Sequence, residues 1–286
     1  MLERALMFWL TLLVMHPAAA ALNDIYPGDY LAAPAGTKAL VIYAYDRDLE
    51  GPYQHGQNLS ALTRDANTII VLGAAYFDIS QIRVALSASA GRSRQSTATG
   101  STQLDETVWG NTDPKLSVTA WPWQTDQNSV AINLAHVFPL GTYNASAAQN
   151  IGQNRHRSAL SLSWAHFFSP AFRTEATAEF AFFQENNDTP AGSLRQKMAE
   201  SLTVFGTYKL TPRVSPYLGY QWNTGGAIAL GNSSYREEDR FQRAFLGGRI
   251  ELAKDQILHV RGSTDTTKLT GLRLTREITV KWTKLY

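Results

Sequence analysis

The chain has 286 residues, a formal net charge of +2 at neutral pH, no cysteine, 44% hydrophobic and 17% charged residues. So small a net charge argues against nucleic acid as a partner, and the missing cysteine excludes a disulfide framework or a thiolate metal site. Beyond the first twenty or so residues no apolar run reaches the ~18 residues expected of a membrane-spanning helix.

The start carries Glu3 and Arg4, then the apolar run ALMFWLTLLVM, then small residues in HPAAAALND. A charged start, a short apolar centre and an A-x-A site predict a cleaved secretory signal over residues 1–21. Residues 22–36 contain Pro27, Gly28, Pro34 and Gly36. They are expected to form a periplasmic N-terminal segment, which is also a candidate plug.

From residue 37 to 286 the pattern has period two. QIRVALSASA sets Ile82, Val84 and Leu86 against Arg83, Ala85 and Ser87, and SALSLSWAHFF sets Leu160, Leu162 and Trp164 against Ser161, Ser163 and Ala165. Alternation of this kind means strands, whose successive side chains point to opposite faces. About twelve are predicted, over 37–46, 67–77, 81–92, 113–121, 129–138, 157–168, 171–183, 198–210, 213–223, 240–252, 255–263 and 271–286. Short turns (FDISQ, WPWQTDQNS, FFSPAFR, KLTPRVS, LAKDQ) alternate with longer polar stretches at 46–66, 92–112, 139–156, 184–197, 223–239 and 263–270. Short periplasmic turns and long external loops are the asymmetry of an outer-membrane barrel. The expected fold is therefore all-β, a transmembrane antiparallel up-and-down β-barrel in the outer membrane of a Gram-negative bacterium. An open edge in hydrocarbon would leave backbone groups unpaired at several kcal/mol each, so the last strand must meet the first.

That last strand, EITVKWTKLY, has Ile278, Val280, Trp282 and Tyr286 on one face, interrupted by Lys284. Its apolar outward row and terminal aromatic suit recognition by the barrel assembly machinery. Phe77, Trp121, Trp123, Phe168, Phe172, Tyr208, Tyr217 and Tyr286 cluster near the short turns, as an interfacial girdle would.

Three stretches carry a resemblance: YPGDYLAAPAGTKALVIYAY (26–45), VAINLAHVFPLGTYN (130–144) and NIGQNRHRSALSLSW (150–164). A Pro-Gly-rich start precedes the first strand, a P-x-G-x-Y element (Pro139, Gly141, Tyr143) follows a middle strand, and a G-x-N segment (Gly152, Asn154) comes next. The chain resembles the MetA-pathway-of-phenol-degradation family of outer-membrane transporters. It departs from the family pattern at His156, where an aromatic is usual, and in WGNTDPKLSV, which lacks the usual Gly-Asp pair. The resemblance implies passage of small, often aromatic or poorly soluble molecules, and brings no catalytic residues.

Parity places charges on the inward face: Arg83, Lys115, Arg173, Glu175, Glu179, Arg243, Arg249, Glu251, His259, Arg261, Arg273 and Glu277. Facing lipid at the midplane each cation would cost ~2–4 kcal/mol, so a lumen is their place. Phe205, Tyr217 and Phe245 also point inward. The expected function is an outer-membrane channel for passive uptake of small organic solutes, with a cation-rich lumen favouring anions. The first alternative is a structural or surface-interaction barrel whose charges form an ion-pair ladder. The remote alternative is a phospholipase-like hydrolase built on His156 and Ser158, neighbours on one strand face. No cofactor is expected, and His16, His55, His136, His156, His166 and His259 lack metal-ligand spacing. The expected partners are outer-membrane lipid, the assembly machinery and small solutes.

Overall fold

The computed structural model describes residues 23–99, 106–147, 149–190 and 192–286. The leader expected over residues 1–21 lies outside them. Among the described residues fifteen strands occur, in chain order: β1 (Lys38–Gln54), β2 (Gln57–Ile79), β3 (Ile82–Thr99), β4 (Glu106–Asn111), β5 (Lys115–Gln124), β6 (Asn128–Val137), β7 (Arg157–Phe167), β8 (Phe172–Phe183), β9 (Leu194–Gln196), β10 (Ala199–Tyr208), β11 (Val214–Gly225), β12 (Ile228–Leu230), β13 (Phe241–Ala253), β14 (Gln256–Lys268) and β15 (Gly271–Leu285).

Twelve of them close a ring: β1, β2, β3, β5, β6, β7, β8, β10, β11, β13, β14 and β15, each antiparallel to the next. The seam pairs Ala39 with Leu285 and continues to Tyr53 and Gly271. Lys38 and Tyr286 exchange backbone hydrogen bonds there, at 3.1 and 2.8 Å. Of the other three strands, β4 pairs, among the described residues, with the outer half of β3, and β9 and β12 make a separate two-stranded sheet.

The ring is what the alternation demands. Its outer face exposes Ile69, Val71, Leu134, Leu202, Leu218 and Leu246 among other large apolar side chains. Its inner face buries polar ones, including Ser161, Glu179, Arg261, Glu277 and Thr279. An apolar belt around a polar interior suits a barrel in lipid and would be untenable in water.

Three of the expected long connections are strands instead. β1 and β2 continue through 46–66 and meet at a two-residue turn, His55 and Gly56, with φ of 50° and 77°. Positive φ at both positions is the hairpin geometry whose twist matches the flanking strands. Likewise β14 and β15 run through most of 263–270, and β3 and β4 take up most of 92–112. Above the hydrocarbon, outward residues have no reason to be apolar, so the alternation that marks a strand fades while its hydrogen bonding continues. The wall is therefore tall on the β1–β3 and β14–β15 side, where β2 has 23 residues against 10 in β6.

Two irregularities re-aim side chains. Asp48 pairs with Arg276 but Leu49 pairs with Leu274, so β15 carries one extra residue and its inside-outside parity reverses there. Ser89 pairs with Lys115 and Arg92 with Asn111, so the break at 112–114 inserts a residue between β4 and β5. The girdle also needs correction. Trp123, Phe168, Tyr208 and Tyr286 are exposed at the short-turn end, but Trp121 and Tyr217 are buried inside the barrel.

Candidate functional site: the lumen and the segment that crosses it

Residues 23–36 run inside the ring and touch its opposite walls. Ile25 packs against Phe205, Tyr217 and Phe245 from β10, β11 and β13, while Tyr30 and Ala32 pack against Ala85, Trp121 and Ala131 from β3, β5 and β6. Trp121 Nε1 donates to the Tyr30 carbonyl at 2.9 Å. Short turns fold the segment compactly: Asp29 N–H donates to Tyr26 O, and Leu31 N–H to Gly28 O, both at 3.1 Å.

Wall charges hold this segment. Arg261 Nη2 donates to Asp24 Oδ1 (2.7 Å) and Glu277 Oε1 (2.8 Å), and its Nη1 to the Ile25 carbonyl (3.0 Å). Arg47 Nε reaches the other oxygen of Glu277 at 2.6 Å. The Arg261 guanidinium lies 4.0 Å from the centre of the Tyr26 ring, and Lys281 pairs with Asp29. On the far wall Glu175 accepts Gly28 N–H at 2.7 Å, Glu179 accepts from Asn23, and Lys115 Nζ donates to Asn23 Oδ1 at 2.8 Å. Arg83 bridges Asp78 and the Ala33 carbonyl.

The segment divides the lumen into two chambers that share Asn23, Asp24, Ile25, Tyr43, Leu72 and Lys115 as walls. The periplasmic chamber, about 540 Å³, meets Arg173, Arg249, Glu251, His259 and Trp121. The outer chamber, about 400 Å³, meets Arg243, Arg155, Arg157, Leu49, Ile70 and Phe245.

Most of the expected inward cations are matched by carboxylates. Arg173 pairs with Glu175 (2.8 Å), Arg243 with Asp265 (2.7 Å) and Arg249 with Glu251 (2.6 Å). His259 sits edge-on to Tyr26 and close to Tyr217, with ring centres at 5.9 and 6.0 Å. Arg273 is a correction. Beyond the β15 bulge it falls between buried Leu272 and Leu274, so it points out of the barrel. There it donates to the Asp265 carbonyl at 3.2 Å and pairs with Glu50 at 3.6 Å.

Sequence reasoning misses Asp24, Arg47, Asp265, Asp113, Arg155 and Arg157. Arg47 and Asp265 continue the inward parity of β1 and β14, past the points where apolar alternation alone ends those strands. Asp24 lies in the crossing segment, where no periodicity applies.

Asp113 sits in the break between β4 and β5, with its side chain 2% exposed. Its oxygens accept Gly141 N–H and Gln153 N–H, both at 2.9 Å. The P-x-G-x-Y element now has a physical reason. Pro139 lies just past the end of β6, and a Cβ at Gly141 would strike Asp113 and the Asn111 carbonyl at 2.7–2.8 Å. Gly152 packs back-to-back with Gly141, where a Cβ would come within 2.9 Å. Asn186 ties the same loop down, donating to Tyr143 Oη (3.0 Å) and Gln153 O (3.1 Å) and accepting from Asn154 (3.1 Å). Loop 138–156 is thereby bound over Asp113, and its residues line the outer chamber.

The His-Ser pair differs from the sequence reading. Ser158 Oγ meets His136 Nδ1 at 2.8 Å, and His136 Nε2 meets His156 Nδ1 at 3.0 Å. His136 comes from β6, and both it and Ser158 alternate with buried neighbours, so the trio faces outward near the outer end.

The crystal structure of the COG4313 outer membrane channel from Pseudomonas putida F1 is similar, with a TM-score of 0.86 at 16% identity over 92% of this chain and 100% of that one. The β domain of the Bordetella autotransporter BrkA has a TM-score of 0.57 at 10% identity, covering 88% of this chain and 100% of that one. The transport unit of the autotransporter AIDA-I from Escherichia coli also scores 0.57, at 8% identity over 96% of each chain. At such identities these likenesses establish the fold alone. No protein of curated function matches the sequence. Closed ring, apolar belt and polar lumen mark a Gram-negative outer-membrane barrel. Residues 56–252, well over half of the chain, match the model of one family, and the chain belongs to it: the MetA-pathway of phenol degradation family.

Proposed function

We propose that this barrel carries small, poorly soluble organic molecules, aromatic ones among them, across the outer membrane by passive diffusion. The carrying observation is the two-chamber lumen. Each chamber combines polar groups with apolar and aromatic wall: Tyr43, Tyr45, Phe241 and Phe245 outside the crossing segment, Tyr76 and Trp121 beneath it. Aromatic faces offer stacking surface to aromatic solutes, and mixed walls hold them without trapping them. The family's association with phenol degradation supports the same substrate class.

In this reading residues 22–36 act as a plug that narrows the path, and the barrel does no chemistry. The wall cations Arg83, Arg173, Arg243, Arg249 and Arg261 hold the plug or one another's carboxylates, so they contribute little net charge. Support for an anion preference comes instead from Lys115 and its neighbours. The test is entry of radiolabelled phenol, at low concentration, into porin-deficient Gram-negative cells with and without this chain. Faster initial entry with the barrel is expected. Equal rates, with heat-modifiable barrel present in the outer membrane, would overturn the reading.

A further inference from the structure

One corner of the outer chamber differs from the rest of the lumen. Lys115 on β5 pairs across to Val137 on β6, and Val137 to Arg157 on β7, so all three point inward at one level. Arg155 stands two residues before Arg157, in loop 138–156. Lys115, Arg155 and Arg157 all line the outer chamber. Arg47, Arg173, Arg243, Arg249 and Arg261 each close onto a carboxylate, but here the balance is different.

Arg155 is only 2% exposed, yet its hydrogen-bond partners are neutral amides. Its Nε and Nη2 donate to Gln153 Oε1 at 3.3 and 3.1 Å, and Nη2 also donates to Gln196 Oε1 at 2.5 Å. Its Nη1 is buried with no partner, and so is the Nε of Arg157. The carboxylate within reach is Asp113, which takes Arg157 Nη2 at 3.3 Å. Asp113 is already engaged by the backbone N–H groups of Gly141 and Gln153. Lys115 Nζ donates to neutral Asn23 Oδ1, with Glu179 on β8 as its main acidic neighbour.

Two buried guanidinium nitrogens without acceptors are an unfavourable arrangement that an acceptor would relieve. Burial, with the added charge of Arg157, pushes the Arg155 guanidinium down to about 9. A bound anion would reverse that push. A planar fork such as a guanidinium matches a carboxylate's two oxygens better than any point charge does. The Phe183 ring, 5.0 Å from the Arg155 guanidinium, backs it from one side. Across the same chamber Leu49, Ala66, Ile70 and Leu274 present an apolar wall.

We propose that Arg155, Arg157 and Lys115 form a binding site for the carboxylate of a small amphipathic acid whose apolar body lies against the β1–β2–β15 wall. The ligand class is an aromatic or short aliphatic monocarboxylate. Its carboxylate displaces the Gln153 or Gln196 amide from Arg155 and supplies the acceptors that Arg155 Nη1 and Arg157 Nε lack. This rests on the proposed transport function, and it gives the outer chamber a recognition step before the plug.

Benzoate and its neutral isostere benzamide are the probes, titrated calorimetrically into the full mature barrel in a non-ionic detergent. The wild type should bind benzoate about ten-fold more tightly than benzamide, the size of effect expected of charge-assisted hydrogen bonds. The double variant Arg155→Gln, Arg157→Gln should bring the two probes to equal affinity. Arg240→Gln, which removes one charge from an exposed surface pair with Glu238, should leave the difference intact. Equal affinity in the wild type would overturn the site, as would a preference that survives in the double variant or vanishes equally in Arg240→Gln. Heat-modifiability on gels reports folding. If the double variant fails to fold, Lys115→Gln takes its place and should lower the benzoate preference by several-fold; an unchanged preference there overturns the proposal. Phenol entry into cells separates the two readings: faster entry with the barrel but no benzoate preference removes the site and leaves the channel, and a benzoate preference without faster entry leaves the site and removes the channel.

Discussion

Glu277 shows what the wall charges do at the scale of one residue. It is 1% exposed and accepts from Arg47, Arg261 and Ser263 at 2.6, 2.8 and 2.8 Å. Burying a carboxylate is costly, and here two guanidiniums and a hydroxyl offset the cost. Removing the charge leaves Arg47 and Arg261 leaning on Asp24 alone. Glu277→Gln should therefore destabilise the barrel by ~3–5 kcal/mol, the usual penalty for breaking a buried pair. Scanning calorimetry in micelles would read it as a lowered unfolding midpoint. A midpoint within error of wild type would mean that the network is slack and that the crossing segment is not held through it. Parity alone places Glu277, Arg261, Arg243 and Glu179 correctly, because one-in-two alternation needs only the strand and its phase. Arg273 escapes because a single extra residue in β15 changes the phase, and nothing in LRLTRE announces the bulge.

At the scale of elements, rings and glycines interlock across strands. Phe205 on β10 lies opposite Gly219 on β11, and Tyr217 on β11 opposite Gly247 on β13. A Cβ at Gly247 would come within 2.5 Å of the Tyr217 ring and 2.6 Å of the Val260 carbonyl. The glycines are there so that rings can lie flat over the neighbouring strand and present an apolar seat to Ile25. Gly247→Ala should tilt Tyr217 into that seat and cost ~1–3 kcal/mol by overpacking; an unchanged unfolding midpoint would contradict it. The seat in turn positions the crossing segment. Deleting residues 24–33 removes what separates the chambers, so single-channel conductance in planar bilayers should rise severalfold. An unaltered conductance in a correctly folded deletion variant would mean that ions already bypass the segment. Neither the seat nor the crossing is legible in the sequence. Periodicity reports which face a strand residue takes, but YPGDYLAAPAG has no period, and its contacts come from residues as far as 252 positions away.

The whole molecule is organised by its two ends and its seam. Periplasmic turns are short, down to the two residues between β2 and β3, whereas 138–156, 184–198 and 226–240 are long. An epitope placed at exposed Asn187 should be labelled on intact cells and one at exposed Pro212 should not; the opposite pattern would invert the topology. The seam makes the more demanding claim. β1 and β15 pair along most of their length, from Ala39–Leu285 to Tyr53–Gly271. Closure in lipid cannot be partial, since each unpaired backbone group at depth costs several kcal/mol. β15 supplies both sides of that requirement. Its backbone completes the ring, and Ile278, Val280 and Tyr286 face outward from it, exposed to lipid. Trp282, on the same face, directs Nε1 toward Gln256 at 3.4 Å, and Lys284, paired with Asp255, lies near the Tyr286 ring at 5.8 Å. That charge is therefore matched at the periplasmic rim, which is why it is tolerated in an otherwise apolar row. If the assembly machinery reads this row, replacing Trp282 and Tyr286 together by serine should remove the signal and leave the backbone register intact. The variant should accumulate in the periplasm or be degraded, with heat-modifiable barrel in the outer membrane falling severalfold. The same double variant refolded in detergent without the machinery should still close, because its β1–β15 hydrogen bonds are unchanged. Normal outer-membrane levels would show that the terminal row is not read, and failure to refold in detergent would show that these side chains hold the seam itself.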